Sequence, residues 1–330
     1  MSEPPFSLGL TSEALVSEVQ PRIIAKLWRR VAAFLLDVLI LSIAIHLLAI
    51  FLYDQFVHLD AWGPLVGFAL VMPYFALLNS NVFNGQTIGK ALLGVQVVDA
   101  HGNLLSPLRA SLRYLVLTFP MACSNLELPL TRVPGIFVHY VVPLFQAVTL
   151  VTLYLMIFNR ATRQGLHDLV ADSYVVRADS PGEVKPYPIW KGHWAILIVL
   201  AIGAYVGGNI FRHWIASKVD MSQLTQDLRV IENMPGVQSA GIVDQVSRSS
   251  NDTRTTACVV TVRWTGRTED MESIAKTVGK KLIEIDSGTA KHDTLGVTVI
   301  RGYNLGIASS YRTYRCNYTL EEWKKGTGTR

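Results

Sequence analysis

Two carboxylates and one arginine stand where lipid should exclude charge. Asp37 lies inside the apolar run 31–53, and Arg30 precedes it by seven residues. Seven residues make about two helical turns, so both side chains project from one helix face, about 10 Å apart along the axis. That is too far for a direct ion pair, and each needs a partner from elsewhere. Asp168, which follows the apolar run 135–158, is the carboxylate best placed to be returned to Arg30. A charge at the bilayer centre costs roughly 2.5–3.5 kcal/mol on insertion scales, so such groups face a partner or a water-filled cavity. Two kinds of chemistry are open to this set. A desolvated carboxylate has its pKa raised toward neutrality and becomes a proton or sodium site. The same residues also suit a polar staple, since structural ion-pair networks perturb titration too.

Other candidates are weaker. His46, His139 and Gln146 interrupt apolar runs and could extend a polar path or simply join helices. His167 beside Asp168 invites a catalytic pairing, but neighbours on a helix point about 100° apart. The sequence has no serine nucleophile elbow, Walker loop or HExxH helix. The glycines of 85–94 lack the Gly-Lys-Ser/Thr of a phosphate cradle. With three cysteines and no CxxC, a thiolate metal site is not expected either. The expectation is a protein that is not an enzyme and carries no cofactor or metal.

Positioning these residues falls to apolar helices. Of 330 residues 50% are hydrophobic and 17% charged, below the roughly 25% charged of soluble domains. The net charge of +5 is spread out, which excludes a nucleic-acid face. Runs 31–53, 62–83, 108–124, 135–158 and 194–211 read as spans, the third interrupted by Arg109, Arg113 and Pro120. Residues 22–30 read as a short interfacial helix. Val95 to Asp99 reads as a strand and Ala100 to Asn103 as its turn, which predicts a small surface hairpin. Basic residues gather near Lys26 to Arg30, at Lys90, Arg109 and Arg113, and at Arg160, Arg163 and Arg177. If 108–124 crosses, all these clusters share the cytoplasmic side, as the positive-inside rule requires. The N-terminus is then cytoplasmic and the C-terminal part lies outside. Gly203 and Gly207 form a small-residue packing face on the fifth span.

Three motifs carry a resemblance. Arg30-Val-Ala-Ala-Phe-Leu-Leu-Asp37 resembles the first-span signature of the RDD family of membrane proteins, named for one arginine and two aspartates. The stretch from Gly85-Gln-Thr-Ile-Gly-Lys90 to Gly102 is similar to the family's central motif. Arg163-Gln-Gly-Leu-His-Asp168 with the following residues to Val176 resembles its closing motif. The likeness covers about 22–177 and departs at Asp172, where a small residue is more usual. It implies a helical membrane bundle and, for some members, cation/proton exchange. On this basis the network residues are Arg30, Asp37, Asp168 and His167, supported by Gln86, Thr87 and Lys90.

The remainder changes character. Apolar residues recur at helical spacing over 221–231 and 271–285, with Thr268 as an N-cap, and alternate over 237–246, 256–264, 294–303 and 311–320. The order α-β-β-α-β-β predicts a two-layer α+β sandwich. Cys258 and Cys316 face inward on their strands; they form a disulfide if those strands are neighbours, and otherwise remain two buried thiols. The fold expected is therefore an all-α polytopic bundle of about five spans followed by a soluble α+β domain. Its map is a disordered tail (1–21), a transmembrane domain (22–178), a linker (179–193), an added span (194–215) and an extracytoplasmic domain (216–330). The expected location is a bacterial inner (plasma) membrane, with the bilayer, a membrane or periplasmic protein, and a second copy of the chain as candidate partners. Two functions compete: a transporter exchanging cations for protons at Asp37, and an assembly or binding protein acting through the C-terminal domain.

Overall fold

The computed structural model describes residues 21–128, 140–185, 187–217, 221–248, 254–285 and 292–325. The expected N-terminal tail, His139 and the start of the fourth apolar run lie outside these residues. Helix α1 (Leu27–Val57) is followed by α2 (Gly63–Leu78), which has Pro64 in its first turn and Pro73 inside. Helix α4 (Pro107–Ser124) begins where the Ser106 hydroxyl accepts the Arg109 N–H and Pro107 needs no donor. Helix α5 (Val142–Phe158) and helix α7 (Lys191–Ala216) complete the apolar set. Three helical segments, Leu27–Val57, Asp60–Leu78 and Lys191–Phe211, are long and apolar enough to cross a membrane. Helix α5 is apolar but shorter. Helix α7 is held to the bundle chiefly at its start, where Tyr154 Oη and His193 Nδ1 are 3.2 Å apart. Among the described residues nothing lies within 4 Å of a Cβ added at Gly203 or Gly207.

Two short helices and two short strands close one end of the bundle. They are α3 (Ile88–Leu92), β1 (Val95–Val98), α6 (Leu166–Val170) and β2 (Tyr174–Arg177). The expected hairpin at 95–103 does not form. Strand β1 pairs antiparallel with β2, distant in sequence, while Leu105 bridges to Ser80. The turn at Gly102 is present, but both sides of β1 bury Val95, Val97 and Val98, and only a strand from the closing motif offers a matching apolar face. The interfacial helix expected at 22–30 is also absent before Leu27. Ile24 bridges to Val176, and the Ala25 N–H donates to the Val175 carbonyl at 2.9 Å, so this segment lies along the other edge of β2. The segment expected as a linker is tied down too, since Val184 is buried against Val98, Tyr174 and Val176.

The C-terminal domain contains α8 (Met221–Glu232), β3 (Val237–Arg248), β4 (Arg254–Trp264), α9 (Met271–Glu284), β5 (Thr294–Asn304), β6 (Ser309–Thr319) and α10 (Leu320–Lys325). The sheet order is β3-β4-β5-β6, antiparallel except for the β4–β5 pair. Helices α8 and α9 cover one face, burying Val260, Val262, Val297 and Val299 against Ala275, Val278 and Leu282. Thr268 falls in a 3-10 turn ahead of α9, and no side-chain cap forms there. No disulfide joins Cys258 and Cys316, both buried, because β5 lies between their strands.

The two parts share a core. The β5–β6 hairpin reaches into the bundle end opposite β1 and β2, where Tyr303, Leu305 and Ala308 are buried with Ile45, Phe56, Val71 and Phe75. Tyr303 meets Phe56 edge-on with centroids 5.5 Å apart, and Tyr53 at 5.8 Å. A Cβ at Gly63 or Gly67 would collide with the backbone carbonyls of Asn304 and Leu305, so α2 must be glycine there for the hairpin to seat. Arg301 binds Asp54 at 2.7 Å, Arg263 pairs with Glu127, and Gln238 donates to the Val57 carbonyl at 3.0 Å around this joint.

Candidate functional site

At the other end, Asp168 gathers the charged residues. Its backbone N–H donates to the Gly165 carbonyl at 3.1 Å, and its Oδ2 accepts the Gly165 N–H at 3.2 Å as half of a capping box at the start of the one-turn helix α6. The same oxygen lies 2.5 Å from Arg30 Nη2, and Arg30 also donates to the Arg163 carbonyl. Arg113 of α4 donates to Oδ1 through Nε at 2.9 Å and Nη2 at 2.7 Å, and Ser173 Oγ is 3.3 Å away. All of Arg30, Arg113 and Asp168 are buried. Burial alone would raise the Asp168 carboxyl, but the neighbouring charges outweigh it and hold the group well below the usual carboxylate range.

His167 is not turned away from its neighbour. Nε2 lies 3.4 Å from Asp168 Oδ2, because a one-turn helix leaves its ring free to fold back. Burial outweighs the pull of Asp168 and brings His167 down to about 3, so the imidazole is neutral at pH 7. Its Nδ1 is buried with no hydrogen-bond partner among the described residues.

Asp37 occupies a different environment. It is fully buried, and Oδ1 accepts from Tyr74 Oη at 2.6 Å and from the Gly89 N–H at 2.8 Å. Oδ2 accepts from Thr87 Oγ1 at 2.5 Å. Thr87 also caps α3, accepting the Lys90 N–H through its hydroxyl. Asp37 thus fixes the start of a short helix against α1 with neutral donors. Gly89 makes this approach possible, since a Cβ there would clash with the Ala33 carbonyl and sit 3.0 Å from the Asp37 carboxyl. Lys90 donates to Asn79 Oδ1, while Gln86 turns to the β1 edge and donates to the Val95 carbonyl at 2.9 Å.

Among the described residues the polar path drawn from histidines does not assemble. His46 bonds its own helix at the Ser42 carbonyl, 2.8 Å away, and Gln146 is exposed. Asp172 turns outward with a φ of 44° and meets Arg109, whose Nη2 is 2.6 Å from the Asp172 carbonyl oxygen. Two members of the network are not assigned to it by the sequence reading. Arg113 counts there only as a topological charge, although an arginine two turns into an apolar helix asks for a carboxylate. Tyr74 lies inside an apolar run, where its hydroxyl needs a partner.

Two cavities lie end to end along the bundle. One, of about 220 Å³, is bounded by Arg30, Asp37, Lys90 and Arg113 with apolar walls from α4 and α5. The other, of about 230 Å³, reaches the hairpin tip at Leu305, Gly306 and Ile307. Phe34, Phe75, Tyr114 and Met121 border both. Phe75 and Tyr114 stack at 4.7 Å in the partition between the cavities. Among the described residues no cluster of His, Cys, Asp and Glu is arranged to hold a metal ion.

Comparison with known proteins adds one result. Residues 24–172 match the model of the RDD family. No curated protein and no solved structure gives a match to the chain. The family match and the three apolar helices make this a membrane protein.

Proposed function

With residues 24–172 belonging to the RDD family, we propose that this chain is a membrane-anchored binding or assembly protein whose bundle holds the C-terminal domain in a fixed pose. The observation that carries this reading is the seating of the β5–β6 hairpin on Gly63 and Gly67, which gives bundle and domain a shared core. A domain on a loose tether needs no such joint. The open sheet face is then presented at a set distance and angle, with Val243 56% exposed on it. The topology is five crossings of a bacterial inner membrane, the Arg30 end cytoplasmic and the C-terminal domain outside. Reporter fusions at Asp60, Arg177 and Arg330 are expected to read outside, inside and outside. Paired substitutions Pro64→Cys and Gly306→Cys should crosslink in intact membranes, since a Cβ at position 306 would lie 3.7 Å from the Pro64 Cβ. Failure to crosslink defeats the fixed pose. A photo-crosslinker at Val243 should capture a protein partner.

Cation/proton exchange is the second reading, favoured by the two cavities either side of one aromatic partition. Against it stand the carboxylates, each already surrounded by donors. Sodium-driven proton flux in reconstituted vesicles, lost in Asp37→Asn with folded protein undiminished, would restore it.

A further inference from the structure

We infer that the cavity bounded by Arg30, Lys90 and Arg113 binds a single-chain anionic amphiphile, its carboxylate toward Lys90 and its alkyl chain along α4 and α5. The argument starts from charge. Around this cavity stand three cations, Arg30, Lys90 and Arg113, and two carboxylates, Asp37 and Asp168, with His167 neutral. Asp168 is shared by both guanidinium groups. Asp37 faces the same cavity, but both its oxygens are occupied by Tyr74, Thr87 and Gly89. Lys90 is 8% exposed, and its ammonium bonds only the Asn79 amide oxygen, with no ion pair to a carboxylate among the described residues. A buried cation without an anion is costly, and burial accordingly pushes the Lys90 ammonium well below the usual lysine range. One negative group placed beside it would restore that charge and leave the cluster neutral.

The rest of the cavity sets the class of ligand. Its far wall is apolar, made of Leu117, Met121 and Met156, so a small hydrated anion would leave most of it unfilled. On its rim Val31 of α1 is 42% exposed and Leu153 of α5 is 49% exposed, so the cavity borders the outer, lipid-facing surface between these helices. A volume of about 220 Å³ is small, below the roughly 300–1,000 Å³ of ordinary ligand pockets. It suits one chain with a compact head, not a two-chain phospholipid. One net charge, one chain and lateral access together select a long-chain carboxylate.

The test uses the full chain in nanodiscs of phosphatidylcholine with radiolabelled dodecanoate as the probe. Binding is measured above the partitioning into empty discs. Saturable binding of one dodecanoate per chain is expected. Lys90→Met should weaken it at least about tenfold by removing the unpaired charge. Leu153→Trp should do the same by filling the cavity from its exposed rim, and it decides the matter if Lys90→Met lowers the amount of folded protein. Dodecyltrimethylammonium should fail to displace the probe, and acetate should displace it only weakly. Unchanged binding in Leu153→Trp would overturn the proposal. So would displacement by the cation as effective as by unlabelled dodecanoate, which would show that charge is not read. Displacement by acetate as effective as by dodecanoate would leave a small-anion site and no lipid site.

Discussion

The two ends of the helical bundle are held by opposite means. At the Arg30 end, a buried carboxylate joins α1, α4 and α6 through two guanidinium groups and neutral donors. At the hairpin end the joint is apolar and aromatic, and its ion pairs lie at the rim, with the Asp54 side chain 73% exposed. Similar N···O distances, 2.7 Å for Arg113 with Asp168 and 2.7 Å for Arg301 with Asp54, therefore stand for different energies. Water screens the second pair and not the first. Distance alone does not rank an ion pair; the solvent that each partner gives up does.

The sharpest way to break this contrast is Asp168→Leu. It leaves Arg30 and Arg113 buried without their carboxylate, and about 3–5 kcal/mol of stability should be lost. Thermal unfolding of the purified chain in detergent would show it as a large drop in midpoint. A midpoint like the wild type would put the network on a par with a surface pair.

Next in size is the hairpin joint. Gly67→Val places a branched side chain against the Leu305 carbonyl and should unseat the hairpin without unfolding the C-terminal core. Limited proteolysis would then find cleavage sites at Gly306 and Ile307 that are protected in the parent. The loss of burying Leu305 and Tyr303 is of order 2–4 kcal/mol.

Asp37 separates charge from geometry within the first end. Asp37→Leu removes an acceptor from three donors and should cost about 2–4 kcal/mol, whereas Asp37→Asn keeps part of the pattern and should cost less. Equal losses would mean that the negative charge itself is required.

The pH response tests His167. Its folded value of about 3 lies below the ordinary 6.5. Between those values the unfolded chain binds the proton and the folded chain does not, so stability is full above pH 6.5 and falls as the pH drops toward 3. His167→Gln should flatten the decline in unfolding midpoint between pH 7 and pH 5. The smallest effect belongs to Asp54→Asn at the far rim, where solvent screens the pair, and it should fade further in high salt.

Parts of this contrast were legible from residue order. Arg30 and Asp37 on one helix face, each without a local partner, called for long-range partners, and Asp168 and Thr87 were among those named. The C-terminal order of helices and strands was equally clear, because alternation and helical spacing survive in an amphipathic domain. Tyr74 and Arg113 were not assigned to the network, since neither forms a local pattern with the residue it serves. The pairing of β1 with β2 was hidden for the same reason: a turn signal at 100–103 is local, and the strand that completes the sheet is not.

Sequence by itself determined the membrane class, the family motifs and the elements, because hydropathy and periodicity are properties of neighbouring residues. Only the tertiary structure decided which arginine meets which carboxylate, that the appended domain shares a core with the bundle, and that Lys90 is buried against an amide with no carboxylate bonded to it among the described residues. These depend on how helices distant in sequence approach one another. That approach is set by small features such as Gly67 and Gly89, whose missing Cβ atoms admit a backbone or a carboxylate that no local pattern announces.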